Sequence, residues 1–211
     1  MLGHHVGRAC GHKVNITYAG ESDLANRIRN GTRGDLFVGP EEFSGPLIGE
    51  CALLEGSRTA FARSSTGLAV RAGAPRPDVS TPEKLKAALL AADSVSYSAG
   101  ASGTHFTKVI ERLGITDAIA AKRVAPRPGE LVGAVVARGG AVIGVQQLSE
   151  LLPVSGIQIL DPLSAELQQT IVYGVTAFPH STQHEAAQAF VRFLRSEAAH
   201  VVLRRKGVDP A

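Results

Sequence analysis

Tryptophan is absent, aromatic residues make up only 5% of the chain, and cysteine occurs twice. So few aromatics argue against a stacking platform for bases or sugars. Cys10 and Cys51, far apart in sequence, make neither a disulfide framework nor a metal cluster. Cys51 is expected near a surface or core edge, with no chemical role. An excess of one charge is also missing, since 22 basic residues face 19 acidic ones for a net charge of +3. That balance excludes a nucleic-acid partner but suits an anionic ligand. No apolar run approaches the ~20 residues needed to cross a bilayer, so membrane insertion is not expected. Met1 to His5 lacks the basic patch, apolar stretch and small-residue cleavage site of a signal peptide. As written, the chain therefore reads as soluble and cytoplasmic. There is no Gly-x-Ser-x-Gly elbow, P-loop or dinucleotide fingerprint, and no cofactor is expected. His4, His5 and His12 lack a partner at metal-ligand spacing, so no metal is expected either.

What is present suffices for a packed core: 211 residues, 44% hydrophobic and 19% charged. Val14 to Tyr18 alternates apolar and polar residues and predicts a strand. Gly20-Glu21-Ser22 then opens a helix carrying Leu24 and Ile28, which Gly31 ends. Asp35 to Val38 predicts a buried strand, Glu41 to Leu47 a short helix, and Thr59 to Arg71 one long strand. Ala74-Pro75-Arg76-Pro77 reads as a hinge or boundary. Beyond it, Ser80-Thr81-Pro82-Glu83 starts a helix, Val95 to Ser98 a strand, and Ser102-Gly103-Thr104 a helix running to Gly114. Leu131 to Arg138 predicts another helix, and Ala141 to Val145 an apolar strand buried on both faces. Ile171 to Ala177 predicts a strand, with helices over 182–195 and 196–206 closing the chain. Strands alternating with helices mean an α/β fold.

The informative device is a strand that runs into small hydroxyl residues at a helix start. Gly20-Glu21-Ser22 is one case, and Ser98 to Thr104 is the other. Free N–H groups at a helix start carry the positive end of its dipole and suit an anion. Two readings stay open: Ser22 and Thr104 are plain N-caps, or both turns line a site. Arg63-Ser64-Ser65 marks either a strand crossing a cleft or an exposed edge. Gln146-Gln147 follows a buried strand, where ligands of open parallel sheets bind, or else simply starts a helix. His105, in the first turn of the Thr104 helix, is placed where the dipole disfavours the imidazolium, leaving a neutral donor or base. It is equally readable as a surface histidine.

With these elements placed, the chain from Gly11 to Ala211 resembles the molybdate-type branch of the bacterial extracellular solute-binding proteins. The anchors are Gly20 to Ile28, Asp35 to Val38, Phe61-Ala62-Arg63-Ser64, Ala141 to Glu150, Tyr173 in its strand, and Phe193-Leu194-Arg195-Ser196-Glu197-Ala198-Ala199. The resemblance implies a type 2 periplasmic-binding-protein fold: two Rossmann-like lobes joined by crossing strands. The family's first strand precedes the point where this chain begins, so it is taken as missing. Residues 1–70 and 168–211 are expected to form one lobe and 71–167 the other. The resemblance further implies a small anionic ligand, an oxyanion or a carboxylate, held by Ser22, Arg63, Ser64, Ser102, Gly103, Thr104, Gln147 and Tyr173. It also implies an ABC-transporter membrane subunit as partner, a monomer, and a periplasmic location that contrasts with the missing signal peptide. Gln147 stands where a tyrosine often completes the molybdate site, which favours a carboxylate over a tetrahedral oxyanion. A related branch of the same fold isomerises aconitate, so a cytoplasmic isomerase is the alternative, with His105 as its base.

Overall fold

The computed structural model describes residues 11–211, apart from the side chains of Glu21 and Ser22. The chain divides into two compact units. Unit 1 takes the chain up to Arg63 together with Ile171–Ala211, and unit 2 is the continuous stretch Ser64–Thr170. One boundary therefore falls inside a strand, and the Pro-rich stretch lies within unit 2.

In unit 1, α1 (Glu21–Arg29) ends where Gly31 takes a positive φ of 91° and Thr32 N–H reaches back to the Arg27 carbonyl. Only glycine adopts that conformation cheaply. Strand β1 (Leu36–Pro40) leads into α2 (Glu41–Gly49) and pairs antiparallel with β6 (Thr170–Ala177), Val38 lying opposite Val175. The first part of β2 (Thr59–Arg71) pairs antiparallel with the short β7 (Asp209–Pro210). Phe37, Leu47, Leu53 and Phe178 form one apolar cluster with Ala25 and Ile28 of α1. A second cluster gathers Phe61, Val175, Leu194 and Leu203, the last two from α8 (His184–Leu194) and α9 (Glu197–Arg205).

The strand expected over Val14 to Tyr18 is not formed. Those residues have no regular structure, with Ile16 42% and Tyr18 76% exposed. Alternation makes a strand only where a neighbour supplies hydrogen bonds and a surface to cover one face. Among the described residues nothing pairs with this segment.

Unit 2 is built on β4 (Ile143–Gln147), buried along its whole length between two neighbours. On one side it runs parallel to β3 (Val95–Tyr97), and on the other antiparallel to the second part of β2. The short β5 (Ile157–Ile159) also pairs with β2. Helix α3 (Pro82–Ala91) has Pro at its start, and Thr81 Oγ1 accepts the Lys84 N–H at 3.3 Å. Its Leu85 and Leu89 are fully buried. Helix α4 (Ala101–Arg112) buries Phe106, Val109 and Ile110 at i, i+3 and i+4, the spacing of one helical face. Phe106 meets Tyr97 in a tilted ring pair with centroids 5.2 Å apart, and its burial is worth about 2–3 kcal/mol. Two short helices, α5 (Thr116–Ala120) and α6 (Val132–Ala137), and the single turn α7 (Leu148–Leu151) complete the unit. Gln158 and Arg76 tie the Pro-rich stretch to β5: the Gln158 amide donates to the Ala74 carbonyl and Arg76 to that of Ile159. No helix among the described residues is long and apolar enough to cross a membrane.

Candidate functional site

Strands β3 and β4 are parallel, with Tyr97 opposite Val145, so their carboxyl ends leave the sheet side by side. Beyond β3 lies the Ser98–Gly100 turn, and beyond β4 lies α7. Antiparallel β2 places Thr66 opposite Gln147 at the same end, with Ser64 two residues away. Ser64, Thr66, Gln147 and the Ser98–Gly103 turn therefore gather at one end of the unit 2 sheet, where open parallel sheets take their ligands.

The turn after β3 depends on glycine. Helix α4 starts at Ala101 with Gly100 as N-cap and no side-chain cap. Its first internal bond is Thr104 N–H to the Gly100 carbonyl at 2.9 Å. The N–H groups of Ser102 and Gly103 precede that bond and lie in the unpaired first turn. Ser102 is buried, and no acidic residue occupies this turn. A Cβ on Gly103 would stand 2.7 Å from the Ser98 carbonyl carbon and closer still to its oxygen, so no other residue fits. The Ser98 hydroxyl accepts the Gly100 N–H at 3.3 Å and closes the turn.

This geometry corrects three expectations. Thr104 is not an N-cap but the fourth helical residue, and it is exposed. His105 is the fifth, past the first turn in which the helix dipole acts. Its Nε2 lies 2.8 Å from the Leu167 carbonyl oxygen. Because a carbonyl only accepts, Nε2 carries the proton and, in the neutral ring, Nδ1 is the basic nitrogen. Ser22 is likewise not an N-cap: Gly20 holds that position in α1. The Ser22 side chain lies outside the described residues, as do Cys10, His4 and His5.

Gln147 is the last residue of β4 and also the N-cap of α7, so the strand-end and helix-start readings of this residue coincide. Its side chain is buried and engaged. Ser64 Oγ lies 3.3 Å from Ser149 Oγ in α7. Arg63, an exposed residue opposite Asp209, and half-buried Tyr173, opposite Pro40, belong to unit 1. Cys51 is exposed, with a positive φ of 57°. Among the described residues no group of three His, Cys, Asp or Glu could hold a metal.

Sequence reasoning missed two participants, Gln168 and Glu150, and the structural role of a third, Gln146. Gln168 substitutes for a strand partner, its amide oxygen accepting Thr66 N–H and its NH2 donating to the Thr66 carbonyl, both at 3.1 Å. Buried Gln146 accepts the Val132 N–H at 2.9 Å and so serves the start of α6. Glu150 has its carboxyl pKa raised by burial, an effect opposed by hydrogen bonds from the Gln147 N–H and the Gln146 side chain. An acid three residues after a buried strand gives no signal of this in a single sequence.

Residues 7–209 match the family of bacterial extracellular solute-binding proteins. An aconitate isomerase from Pseudomonas sp. is 34% identical over 209 residues, covering 96% of this chain and 79% of its own. The molybdate-binding protein ModA of Mycobacterium bovis is 23% identical over 206 residues, covering 93% and 74%. In three dimensions, the periplasmic molybdate-binding protein of Azotobacter vinelandii superposes with a TM-score of 0.79 at 20% identity. It covers 98% of this chain and 91% of its own, and so bears on the fold.

Proposed function

Because the chain belongs to the bacterial extracellular solute-binding proteins, a family that takes small solutes, we propose that it binds a small carboxylate anion. One observation carries the reading: the uncapped, acid-free start of α4 at Ser102 and Gly103 lies beside Gln147 at the carboxyl ends of parallel strands. Two free N–H groups and the Ser102 hydroxyl supply donors without bringing a cation. Gln147 stands where, by the family resemblance, a tyrosine often completes the molybdate site, and an amide there suits a carboxylic acid with further polar groups better than a ring of identical oxygens. Ser64 and Thr104, from the same unit, are proposed as the remaining contacts. In this reading the loaded protein is a monomer that delivers its anion to an ABC-transporter membrane subunit.

A second reading, isomerisation of an unsaturated tricarboxylate, is favoured by the 34% identity to an aconitate isomerase across nearly the whole chain. The allylic shift needs a base to take a proton from the methylene carbon and return it to the former vinyl carbon, with no redox partner. His105, its Nε2 proton committed to Leu167, has Nδ1 for that task.

Calorimetric titration with citrate, cis-aconitate, trans-aconitate and molybdate tests the first reading. Tight molybdate binding with no response to the three acids would overturn it. Proton NMR of a cis-aconitate solution tests the second, which requires trans-aconitate to accumulate with the wild-type protein and not with His105→Gln.

A further inference from the structure

One face of the β2–β4 ladder changes character along its length. Val70 opposite Ile143 and Leu68 opposite Val145 belong to the apolar core that Phe106, Val109 and Ile110 of α4 share. Side chains two residues apart on a strand lie on one face, so Thr66, opposite Gln147, comes next on it. Continuing the register sets Ser64 against Ser149, and their hydroxyl oxygens lie 3.3 Å apart. The apolar face thus ends in hydroxyls at the carboxyl end of β4, the end at which α4 begins with buried Ser102.

Two O–H donors in this patch are left over. Thr66 is fully buried, and its hydroxyl has no hydrogen-bond partner. Gln168 grips the Thr66 backbone at both N–H and carbonyl, 3.1 Å each, which fixes the direction in which the side chain leaves the strand. Ser64 and Ser149 bring two O–H groups, and their mutual contact uses one of them as donor. Gln147 is already engaged and adds no donor to the count. A buried hydroxyl without a partner costs stability. Packing gives no reason for it at Thr66, since valine has nearly the same shape.

We propose that Thr66 and Ser149 are further ligand-binding residues, whose hydroxyls take a second carboxylate of a di- or tricarboxylic acid. The inference rests on the carboxylate-binding reading above, in which the first carboxylate meets the start of α4. A carboxylate accepts through both oxygens and donates nothing, which matches a patch holding two surplus donors. Ser149 is half-buried where Thr66 is fully buried, so the carboxylate enters past Ser149 and reaches Thr66 last. The Thr66 hydroxyl then finds the acceptor that the protein alone does not supply.

The test uses citrate as the calorimetric probe and melting of the ligand-free protein as the structural readout. Thr66→Val keeps the shape and removes the hydroxyl. It should weaken citrate binding about ten- to a hundredfold, the loss of a hydrogen bond to a charged group, and should melt no lower than wild type. Thr66→Ser restores the hydroxyl and should bind citrate nearly as wild type does. Ser149→Ala should weaken citrate about tenfold. Ser96→Ala is the control, because the Ser96 hydroxyl is also buried without a partner but lies on the other face of β3 from Val95 and Tyr97. It should leave citrate affinity unchanged. Acetate brings only the first carboxylate, so Thr66→Val should not alter its binding, and an equal loss for acetate would overturn the assignment to a second group. Wild-type citrate affinity in Thr66→Val, or an equal loss in Ser96→Ala, would overturn it too. Should Thr66→Val not fold, Ser149→Ala decides. If wild-type protein ignores citrate and both aconitates, the carboxylate reading fails and takes the inference with it. Citrate binding that neither variant changes defeats the inference alone.

Discussion

Gly103→Ala is the sharpest perturbation of the candidate site, because helix propensity and local packing give opposite answers. Inside an unhindered helix the change stabilises by up to about 1 kcal/mol, since alanine loses less backbone freedom on folding. At Gly103 the new Cβ would stand 2.7 Å from the Ser98 carbonyl carbon and closer to its oxygen. Both partners are backbone, so no rotamer change relieves the overlap, and either α4 or the Ser98–Gly100 turn must move. Overpacking of this kind costs about 1–3 kcal/mol, and the upper end applies where the clash cannot be relieved. The expected net loss is about 2 kcal/mol. Gly49, in the last position of α2 with no atom within 4 Å of its would-be Cβ, is the control, and Gly49→Ala should stabilise by several tenths of a kcal/mol. Urea denaturation followed by far-ultraviolet circular dichroism measures both. The Gly103→Ala protein should in addition lose citrate binding, because the displaced turn carries the free N–H groups. A Gly103→Ala protein as stable as wild type would refute the reasoning.

Three further outcomes are expected. Thr81→Ala removes the N-cap of α3 and should cost about 1 kcal/mol in the same denaturation assay. Gln168→Ala strips both hydrogen bonds from the backbone of fully buried Thr66 and should cost about 1–3 kcal/mol, whereas Gln168→Glu should be tolerated only at acid pH, where the side chain again carries a donor. Glu150 has a raised carboxyl pKa, so below neutrality the folded chain binds a proton that the unfolded chain has already released. Its contribution to stability therefore grows as pH falls through the folded pKa and is lost again as pH rises. Glu150→Gln should flatten that part of a melting-temperature profile taken between neutrality and about pH 4.5, and should melt higher than wild type at neutral pH.

The α/β fold was legible because its signals are local. Thr59 to Arg71 is a run of β-formers and is one strand along that whole length. Pro82 behind Thr81 starts a helix, and Gly31 stops one. Val14 to Tyr18 carries as clear an alternation, yet it is irregular, because a strand is a relation between segments and alternation describes only one of them. The small-residue turn at Ser98 to Thr104 was legible for a similar reason, since glycine and serine before a helix mark a close backbone approach. Its start at Ala101 was not, because Gly100 caps without a side chain. Glu150, Gln168 and the Leu167 partner of His105 lay beyond reach. Each acts through residues that only folding brings near, and nothing about a glutamine in a loop says it will stand in for a strand.

The course of β2 has a consequence for how the chain is made. Its second half pairs with Ile143 to Gln147, so unit 2 is finished once the ribosome has passed Thr170. Its first half, synthesised earlier, pairs at Ala62 and Arg63 with Pro210 and Asp209, which are translated well after unit 2. The nascent protein therefore carries Phe61, Phe37 and Leu47 without their full covering while a folded neighbour already exists downstream. Apolar surface left open over that interval is aggregation-prone. A chain cut between Thr170 and Leu194 would keep unit 2 intact and leave unit 1 without Leu194 and Leu203, so the shortened product should be protease-sensitive around Phe37 to Phe61 and resistant in the middle.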